Sequence, residues 1–310
     1  MRQFFINRQF LEVQTPILSG EGTGALASPF VTHMKNTEST PVRLRVAPEL
    51  WLKKLVIGGF DRVFEIGPNF RNEGIDRTHN PEFTSCEFYQ SFTSLSEVMK
   101  LTEDLFAHLY KTLPNMEHLQ SFNREFPKYE FVPTIEAKTG VSMPKNFTVE
   151  ALYDYFQQIN LAPLPNPNPV ALLDRLSQVY LESISLETPN TPIIIYNQPE
   201  IMSPLAKSSQ GISHRFELFI NGQEYVNAYE EENSPVDQYE KFKIQQRAKD
   251  EYKDDDSIVP DWEYVKSMEY GLPPTGGWGC GVDRLAMLIS GCDRIDQVLP
   301  FGNLKDVIRQ

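Results

Sequence analysis

The sequence has few cysteines and no long apolar run. Its three cysteines, Cys86, Cys280 and Cys292, are odd in number and widely spaced, and no two of them form a C-x-x-C pair. This pattern indicates neither a disulfide framework nor a zinc site, and it fits a reducing compartment. A membrane-spanning helix needs about 20 consecutive apolar residues. The sequence contains no such run, so we expect no membrane-spanning helix.

The sequence also lacks an excess of positive charge. Its 29 Lys and Arg residues stand against 42 Asp and Glu residues, which gives a net charge of −13. A general nucleic-acid-binding protein carries a basic surface, so any RNA contact of this chain must be local or assisted by another part. With 310 residues and a hydrophobic fraction of 40%, the chain can bury a large core.

The periodicity indicates strands joined mostly by turns. Residues 62–67 alternate as a strand does, with Pro68 expected to interrupt it, and residues 83–92 read as its antiparallel partner. The pair Asn221-Gly222 predicts a hairpin with a type I′ turn within residues 215–232. Few strands are joined by regular crossover helices, so the pattern predicts an α+β domain rather than a doubly wound sheet.

Three segments carry groups suited to gripping a nucleoside triphosphate: Arg71-Asn72-Glu73, His79-Asn80-Pro81-Glu82-Phe83 and Gly279-Cys280-Gly281-Val282-Asp283-Arg284. They resemble motifs 2 and 3 of the class II aminoacyl-tRNA synthetases. Further segments resemble the lysine-specific members: Ala47-Pro48-Glu49-Leu50, Glu87-Phe88-Tyr89 and Asn227-Ala228-Tyr229-Glu230-Glu231-Glu232-Asn233. The last of these and the ending Leu299-Pro300-Phe301-Gly302 look most like the fungal mitochondrial branch.

The resemblance runs over nearly the whole chain and implies a fold. Residues 1–310 would form one class II synthetase catalytic domain, a large antiparallel sheet flanked by helices. Residues 10–16 resemble motif 1 with its first half cut away, and residues 114–192 resemble a variable insertion to which we assign no chemistry. We expect the anticodon-binding OB-fold of the family to be absent. The family dimerises through motif 1, so a homodimer is also expected.

The resemblance assigns the nucleotide contacts residue by residue. Arg71 would hold the α-phosphate and Arg284 the γ-phosphate, and these two are the predicted catalytic residues, because a guanidinium fork matches phosphate geometry. The other predicted ATP contacts are Glu73 and Asn80 at the adenine edge, Phe83 stacked on the ring, and His79 at the terminal phosphate.

Two carboxylates near the hairpin turn predict a metal site. If the turn has two residues, Glu217 and Glu224 project from the same face of the hairpin. Mg²⁺ accepts one or two protein carboxylates together with phosphates and water. With the resemblance, this geometry favours Mg²⁺ bound with ATP over the alternative of an exposed strand face.

The amino-acid pocket is predicted from the period-two pattern. Asn227, Tyr229 and Glu231 share a strand face, whereas Glu224 is out of phase by one residue, so a β-bulge must lie between Glu224 and Asn227 if all four line one pocket. Aromatic walls and carboxylates suit a lysine side chain. The resemblance implies the lysine contacts Gly24, Glu49, Glu87, Tyr89, Asn227, Tyr229 and Glu231.

The roles within this pocket follow the resemblance. Glu231 would meet the ε-ammonium, with Glu87 acting similarly, Glu49 would bind the α-amino group, and Asn227 the polar backbone end of the amino acid. Buried carboxylates are costly unless paired, and their expected partner is the substrate. The relatives that are specific for aspartate or asparagine would need a cation at the side-chain end, and the sequence offers no evident candidate for one.

The implied activity is ATP-dependent activation of L-lysine to lysyl-adenylate, with Mg²⁺, followed by transfer to the acceptor end of tRNA(Lys). Two alternatives stay open: a protein-lysylating ligase paralogue, and a non-catalytic, synthetase-like scaffold or RNA-binding protein. The likeness to the fungal mitochondrial branch predicts the mitochondrial matrix, with the cytoplasm as the alternative.

Overall fold

The chain is described here by a computed structural model that covers residues 1–20, 27–35, 41–165, 167–252, 260–302 and 306. It divides into two compact units. Unit 1 comprises Met1–Val98 and Glu230–Gln310, and unit 2 comprises Met99–Tyr229. The predicted lysine contact Gly24 lies outside the described residues. The insertion-like region 114–192 falls within unit 2.

The first part of unit 1 is rich in strands. Its elements are α1 (Arg2–Ile6), β1 (Leu11–Glu12), β2 (Leu18–Ser19), β3 (Val31–His33), β4 (Pro41–Leu44), α2 (Glu49–Ile57), β5 (Arg62–Phe70), β6 (Glu82–Ser91) and the start of α3 (Leu95–Thr112). β5 pairs along its whole length with the antiparallel β6, and β1 runs parallel to β5. The long hairpin β5–β6 therefore carries the predicted motif 2 loop at its tip.

Pro68 does not interrupt β5, contrary to the sequence prediction. It pairs with Thr84, whose backbone N–H donates to Asp283 Oδ2 at 2.6 Å. The missing N–H of a proline matters only at a hydrogen-bonded pair, where it would leave the opposite carbonyl without a donor. Here the Thr84 N–H bonds to Asp283 and the Arg71 N–H bonds to Pro81, so Pro68 and Thr84 form a non-hydrogen-bonded pair in which the proline nitrogen points away from β6. The Pro68 carbonyl accepts from Arg45 Nε at 2.9 Å. The strand consequently extends to Phe70, directly before Arg71.

Unit 2 combines helices with a second group of strands. After α3 it contains β7 (Lys128–Glu130), α4 (Phe131–Thr139), α5 (Val149–Gln158), α6 (Pro169–Ser177), α7 (Ile184–Glu187), β8 (Ile193–Tyr196), β9 (Ser208–Ser209), β10 (Ile212–Ser213), β11 (Arg215–Ile220) and β12 (Gln223–Glu230). A π-helical turn, Gln178–Glu182, joins α6 to α7. β11 is antiparallel to β8 and β12, and β7 is parallel to β8. Buried side chains of α5 and α6, such as Phe156, Leu172 and Leu176, pack in one core with Ile193, Ile195 and Phe219.

The hairpin β11–β12 has the predicted turn and the predicted bulge. Asn221 and Gly222 both have positive φ, 53° and 76°, as a type I′ turn requires. Leu218 pairs with Val226 but Phe219 pairs with Glu224, so Tyr225 is an extra residue in β12. A bulge reverses the alternation of faces. It brings Glu224 into phase with Asn227 and Tyr229, as predicted.

The chain returns to unit 1 with α8 (Pro235–Tyr252), α9 (Trp262–Met268), β13 (Thr275–Gly281) and α10 (Val282–Ser290). β13 pairs antiparallel with β6, and α10 follows it without a connecting loop. Pairing is mostly antiparallel in both units, and only β1–β5 and β7–β8 among the described strand pairs are parallel, so the α+β prediction is confirmed. None of the helices in the described ranges combines the length and apolarity of a membrane span.

Candidate active site

Arg71 and Phe83 lie at the open end of the β5–β6 hairpin. The Arg71 N–H donates to the Pro81 carbonyl at 2.9 Å, which closes the loop between the strands. The guanidinium carbon of Arg71 lies 5.0 Å from the centroid of the Phe83 ring. This cation–aromatic contact places a phosphate-binding group beside a flat surface on which a base can stack. The two residues predicted for ATP are thus neighbours.

Arg284 is brought to the same loop through His79. Its Nη2 lies 2.9 Å from His79 Nε2, and His79 Nδ1 lies 2.9 Å from the carboxylate of Asp76. Partial burial acts to raise the pKa of Asp76, but hydrogen bonds from Thr78 and His79 outweigh it and lower the pKa to about 2. Asp76 therefore stays ionised and orients the imidazole. Sequence analysis missed this residue, whose signal is an acidic side chain three positions before the histidine.

The two residues predicted at the adenine edge, Asn80 and Glu73, lie in the same loop but contact neither Arg71 nor Arg284 among the contacts described here. Asn80 Nδ2 donates to the Glu82 carbonyl at 2.7 Å and to the Gly302 carbonyl at 3.1 Å, so its amide holds the loop in shape. Glu73 is exposed in the same loop. Their contact with a base remains a prediction.

Three predicted amino-acid-binding carboxylates belong to one buried cluster in unit 1. Lys53 Nζ donates to Glu49 Oε1 and to Glu231 Oε2, each at 2.8 Å, and its side chain is fully buried. The sequence analysis, which offered no cation here and left the carboxylates to the substrate, was wrong on this point. Lys53 lies one helical turn after Glu49, the spacing of a helical ion pair, but its contact with Glu231, 178 residues away, carries no local signal.

Glu87, on β6, is the third carboxylate. Its Oε1 accepts from Ser85 Oγ at 3.2 Å, and its Oε2 accepts from the Tyr89 hydroxyl at 3.5 Å. Burial is the main cause that raises the pKa of Glu87 to about 8, and Glu49 adds to it, against the opposing effects of the Ser85 hydrogen bond and Arg71. A buried carboxyl that is mostly protonated at neutral pH ionises when a cation is placed beside it, so Glu87 is suited to receive one.

Gly277 allows the Glu231 carboxylate to approach the backbone. A Cβ atom at this position would lie 1.9 Å from Glu231 Oε1 and 2.6 Å from a ring carbon of Tyr89. Glu231 Oε1 is itself buried and accepts a hydrogen bond from no described residue. By contrast, a Cβ at Gly281, in the segment that resembles motif 3, would meet only Arg284 Cβ, at 3.8 Å. Gly277 is therefore the glycine that the pocket requires.

We expect Gly277→Ala to abolish binding of L-lysine while Gly281→Ala retains it. The added methyl group overlaps Glu231 and Tyr89 at distances that real side chains do not adopt, so both must move out of the pocket. Isothermal titration of each variant with L-lysine measures the effect, and circular dichroism verifies folding. Unchanged lysine affinity in folded Gly277→Ala would contradict this view of the pocket.

Unit 2 carries a second polar cluster on the face shared by Glu217 and Asn227, which pair across β11 and β12. The Arg215 guanidinium forms an ion pair with Glu217 and donates from Nε to Asn227 Oδ1 at 2.9 Å. Glu217 Oε2 accepts from Gln198 Nε2 at 3.2 Å. Arg215 also pairs with Tyr229 across the strands. Sequence analysis did not select this arginine, although it lies two residues before Glu217 and hence on the same face.

Two further carboxylates lie close enough to interact electrostatically with Glu217, and both come from the region that was assigned no chemistry. Burial is the main cause that raises the pKa of Asp174 to about 6, and the negative charge of Glu217 adds to it. Burial raises the pKa of Glu182 to about 7, with Ser177 opposing and Glu217 adding to it. Glu182 ends the π-helical turn, a distortion that often marks functional sites. The predicted metal site is thus set in a more acidic environment than the sequence indicated.

The donor set of this cluster fits Mg²⁺ as an ion shared with phosphates. Among the described residues, no three His, Cys, Asp or Glu side chains are arranged to hold a metal by themselves. Glu217 and Glu224 share one strand face, and two carboxylates with the remaining positions open are what nucleotide-bound Mg²⁺ requires.

Comparison with known proteins identifies the family of the chain. The profile of the tRNA synthetases class II (D, K and N) matches residues 1–305. The chain is 46% identical to the mitochondrial lysine–tRNA ligase of Schizosaccharomyces pombe, covering 99% of this chain and 60% of that protein. It is 41% identical to the mitochondrial enzyme of Saccharomyces cerevisiae and 39% identical to the lysine–tRNA ligase of Lactococcus lactis subsp. lactis. These alignments cover 59% and 63% of the two relatives, so the chain spans about three fifths of the relatives that it matches. On this evidence the chain belongs to the class II tRNA synthetases of the aspartate, lysine and asparagine group.

Proposed function

We propose that this chain activates L-lysine with ATP to form lysyl-adenylate and transfers the lysyl group to the acceptor end of tRNA(Lys). The observation that carries the proposal is the buried Glu231 Oε1, which accepts no hydrogen bond from the described residues and faces Gly277 and Tyr89. A buried acceptor of this kind is costly without a hydrogen-bond donor, and an ammonium group is a suitable one. The names of the relatives, all lysine–tRNA ligases, support lysine as that donor.

In this proposal the amino acid is held at both ends. Glu231 and Glu87 receive the ε-ammonium, with Tyr89 as an aromatic wall, and Glu49 receives the α-amino group. Asn227, Tyr229 and Gly24 complete the lysine contacts on the strength of the family resemblance. A long aliphatic stem between two charged ends fits such a set.

The nucleotide groups act where charge develops. Attack of the lysine carboxylate on the α-phosphorus expels pyrophosphate and increases negative charge on the phosphorus oxygens. Arg71 and Arg284 stabilise that charge, and they are already oriented by Phe83 and His79, so little reorganisation is needed during reaction. Glu73, Asn80, Phe83 and His79 position ATP.

Glu217 and Glu224 would hold Mg²⁺. When bound, the ion neutralises phosphate charge and orients the leaving pyrophosphate. Arg215 keeps Glu217 and Asn227 in fixed orientations through its ion pair and its hydrogen bond.

We expect the affinity for L-lysine to rise with pH up to about 8 and then to level off. With its pKa raised to about 8, Glu87 is mostly protonated below that pH, and an incoming ammonium favours the ionised carboxylate, so binding releases a proton. Titration calorimetry in two buffers of different ionisation enthalpy measures the released proton. Glu87→Gln should bind lysine more weakly and without this pH dependence. If the lysine affinity of that variant still changed with pH as it does in the wild-type chain, the assignment would be refuted.

The test of the proposed function is lysine-dependent ATP–pyrophosphate exchange, followed by charging of tRNA(Lys). Exchange with L-lysine, and no exchange with L-aspartate or L-asparagine, is the expected result. Exchange followed by transfer to protein lysines instead of tRNA would indicate the protein-lysylating alternative. A folded chain without any exchange would support the scaffold alternative.

Assembly and location are parts of the same proposal. We propose a homodimer through the motif 1 segment, residues 10–16; Leu11 there and the neighbouring Ile6 and Leu18 are exposed apolar side chains, as an interface requires. Sedimentation velocity measures the mass. We propose the mitochondrial matrix as the location because two relatives are mitochondrial enzymes, with the cytoplasm as the alternative; imaging of the tagged full-length protein decides between them.

A further inference from the structure

Lys53 is a buried ammonium to which the reaction described above gives no role. Its side chain is fully buried in α2, with Nζ 2.8 Å from Glu49 Oε1 and 2.8 Å from Glu231 Oε2. The ammonium also lies 5.1 Å from the centroid of the Tyr264 ring. Burying a charge is costly unless its partners are well placed. The two partners here are the carboxylates assigned to opposite ends of the amino acid.

The hydrogen bond from Lys53 determines which oxygen of Glu231 is left for a ligand. Oε2 accepts from Lys53, whereas Oε1 is buried, accepts from no described residue and lies against Gly277 and Tyr89. Without Lys53, nothing in this contact set would prevent the carboxylate from rotating about its last bond. Lys53 also ties the start of α2 to the segment that follows β12, since Glu49 and Glu231 share one donor atom.

Charge balance points to a diamino acid. Glu49, Glu87 and Glu231 supply three carboxylates and Lys53 one ammonium, so the fully ionised cluster retains two negative charges. A diamino acid brings two ammonium groups, one for each, while its own carboxylate is directed to the α-phosphorus in the proposed reaction. An amino acid with an acidic or neutral side chain brings only one ammonium group, so one of these carboxyls would have to stay protonated or carry an unpaired buried charge.

We propose that Lys53 is a positioning residue that holds Glu49 and Glu231 as paired acceptors for the two ammonium groups of a diamino-acid substrate. This inference rests on the proposed function and adds to it the residue that orients the pocket. Lys53 acts through the two carboxylates and does not touch the reacting atoms.

The electrostatic surroundings of Lys53 agree with this role. Burial alone lowers the pKa of Lys53, but Glu231 and Glu49 outweigh it and hold the pKa well above its usual value. The groups that face Glu231 are Lys53 and Glu49 from α2, Glu87 from β6, and Tyr264 from α9. Of these groups only Lys53 lowers the pKa of Glu231, while burial, Glu49 and Glu87 raise it. The pKa of Glu231 is thus held well above its usual value by burial in spite of Lys53, and removing Lys53 should raise it further.

The experiment compares Lys53→Met with the matched control Lys54→Met on the same helix. Lys54 lies 3.5 Å from Asp261 and over the Trp51 ring, with its side chain 25% exposed, so its loss removes a charge without touching the cluster. Titration calorimetry with L-lysine and with ATP is carried out from pH 6.5 to 8.5, and thermal denaturation reports folding.

We expect Lys53→Met to weaken L-lysine binding at pH 7 by about 30-fold or more, as for truncation of one partner of a buried charge pair. ATP binding should be unchanged, and part of the lysine affinity should return as the pH is raised, because Glu231 then ionises. Lys54→Met should match the wild-type chain throughout. Equal losses for lysine and ATP, or a lysine loss that is the same at every pH, would overturn the positioning role.

A second variant covers the case in which Lys53→Met does not fold. Glu231→Gln and Glu231→Gln/Lys53→Met are compared, because removing both members of a buried pair is often neutral for stability. The double variant should bind lysine more weakly than the single variant, because Glu49 has then also lost the ammonium that holds it in place. Identical affinities of the two variants would overturn the inference. If the wild-type chain binds no L-lysine, the proposed function fails; if it does and Lys53→Met binds equally well, the inference alone fails.

Discussion

Arg71→Ala is expected to lose adenylate formation while keeping its fold. The guanidinium lies directly after β5 and over the Phe83 ring, and in the proposed reaction it stabilises the charge that accumulates on the α-phosphate. Removal of one such donor typically costs about 3–4 kcal/mol of transition-state stabilisation, or 10²–10³ in turnover. The loss should therefore fall on kcat of ATP–pyrophosphate exchange more than on the KM for ATP.

The matched control is Arg77→Ala in the same loop. The Arg77 side chain is 66% exposed and lies 4.0 Å from Asp293, so its removal changes the loop charge equally without removing the contact over Phe83. Exchange rates close to wild type are expected for this control. Near-wild-type exchange by Arg71→Ala would refute the nucleotide assignment.

Glu231→Gln is expected to weaken L-lysine far more than ATP. The amide keeps the shape of the side chain and can still accept from Lys53, but it removes the charge that Oε1 offers to an ammonium. A loss of about 2–5 kcal/mol in lysine binding is reasonable for one partner of a buried charge pair. Calorimetric titration with L-lysine, and the KM for ATP in the exchange assay, separate the two effects.

Glu240→Gln serves as the control for that change. Glu240 is exposed on α8, where its carboxylate lies 3.2 Å from Lys243, and a surface pair of this kind contributes little. Lysine affinity in this variant should equal that of the wild-type chain. A Glu231→Gln variant that weakened both substrates equally would show that the residue supports the fold rather than the pocket.

Local features of the fold were predictable because their causes are local. The type I′ turn follows from Asn221 and Gly222, residues that tolerate positive φ. The bulge was predicted because Glu224 and Asn227 are three positions apart, which puts them on opposite faces of a regular strand. The pairing register locates the extra residue at Tyr225. The capping box of α3 follows from Ser94 and Glu97, which exchange hydrogen bonds at its start.

Contacts between distant segments were not predictable in the same way. Lys53 reaches Glu231 only because α2 and the segment after β12 meet in unit 1, and nothing near residue 53 in the sequence encodes that meeting. Gly277 matters because Glu231 and Tyr89 both approach its Cα. The effect of Pro68 was mispredicted because only the register of β5 on β6 decides that it stands at a non-hydrogen-bonded pair.

The extra residue in β12 has a consequence for how this gene can change in length. Because the period of a strand is two, residues that are two positions apart in a regular strand share a face. Deletion of Tyr225 alone would put Glu224 two positions before Asn227, so a regular strand without a bulge would keep both side chains on one face and in register with β11. Deletion of two residues would make Glu224 and Asn227 adjacent and turn their side chains to opposite faces. Relatives that lack one residue in this segment should therefore keep the shared face, whereas relatives that lack two should not.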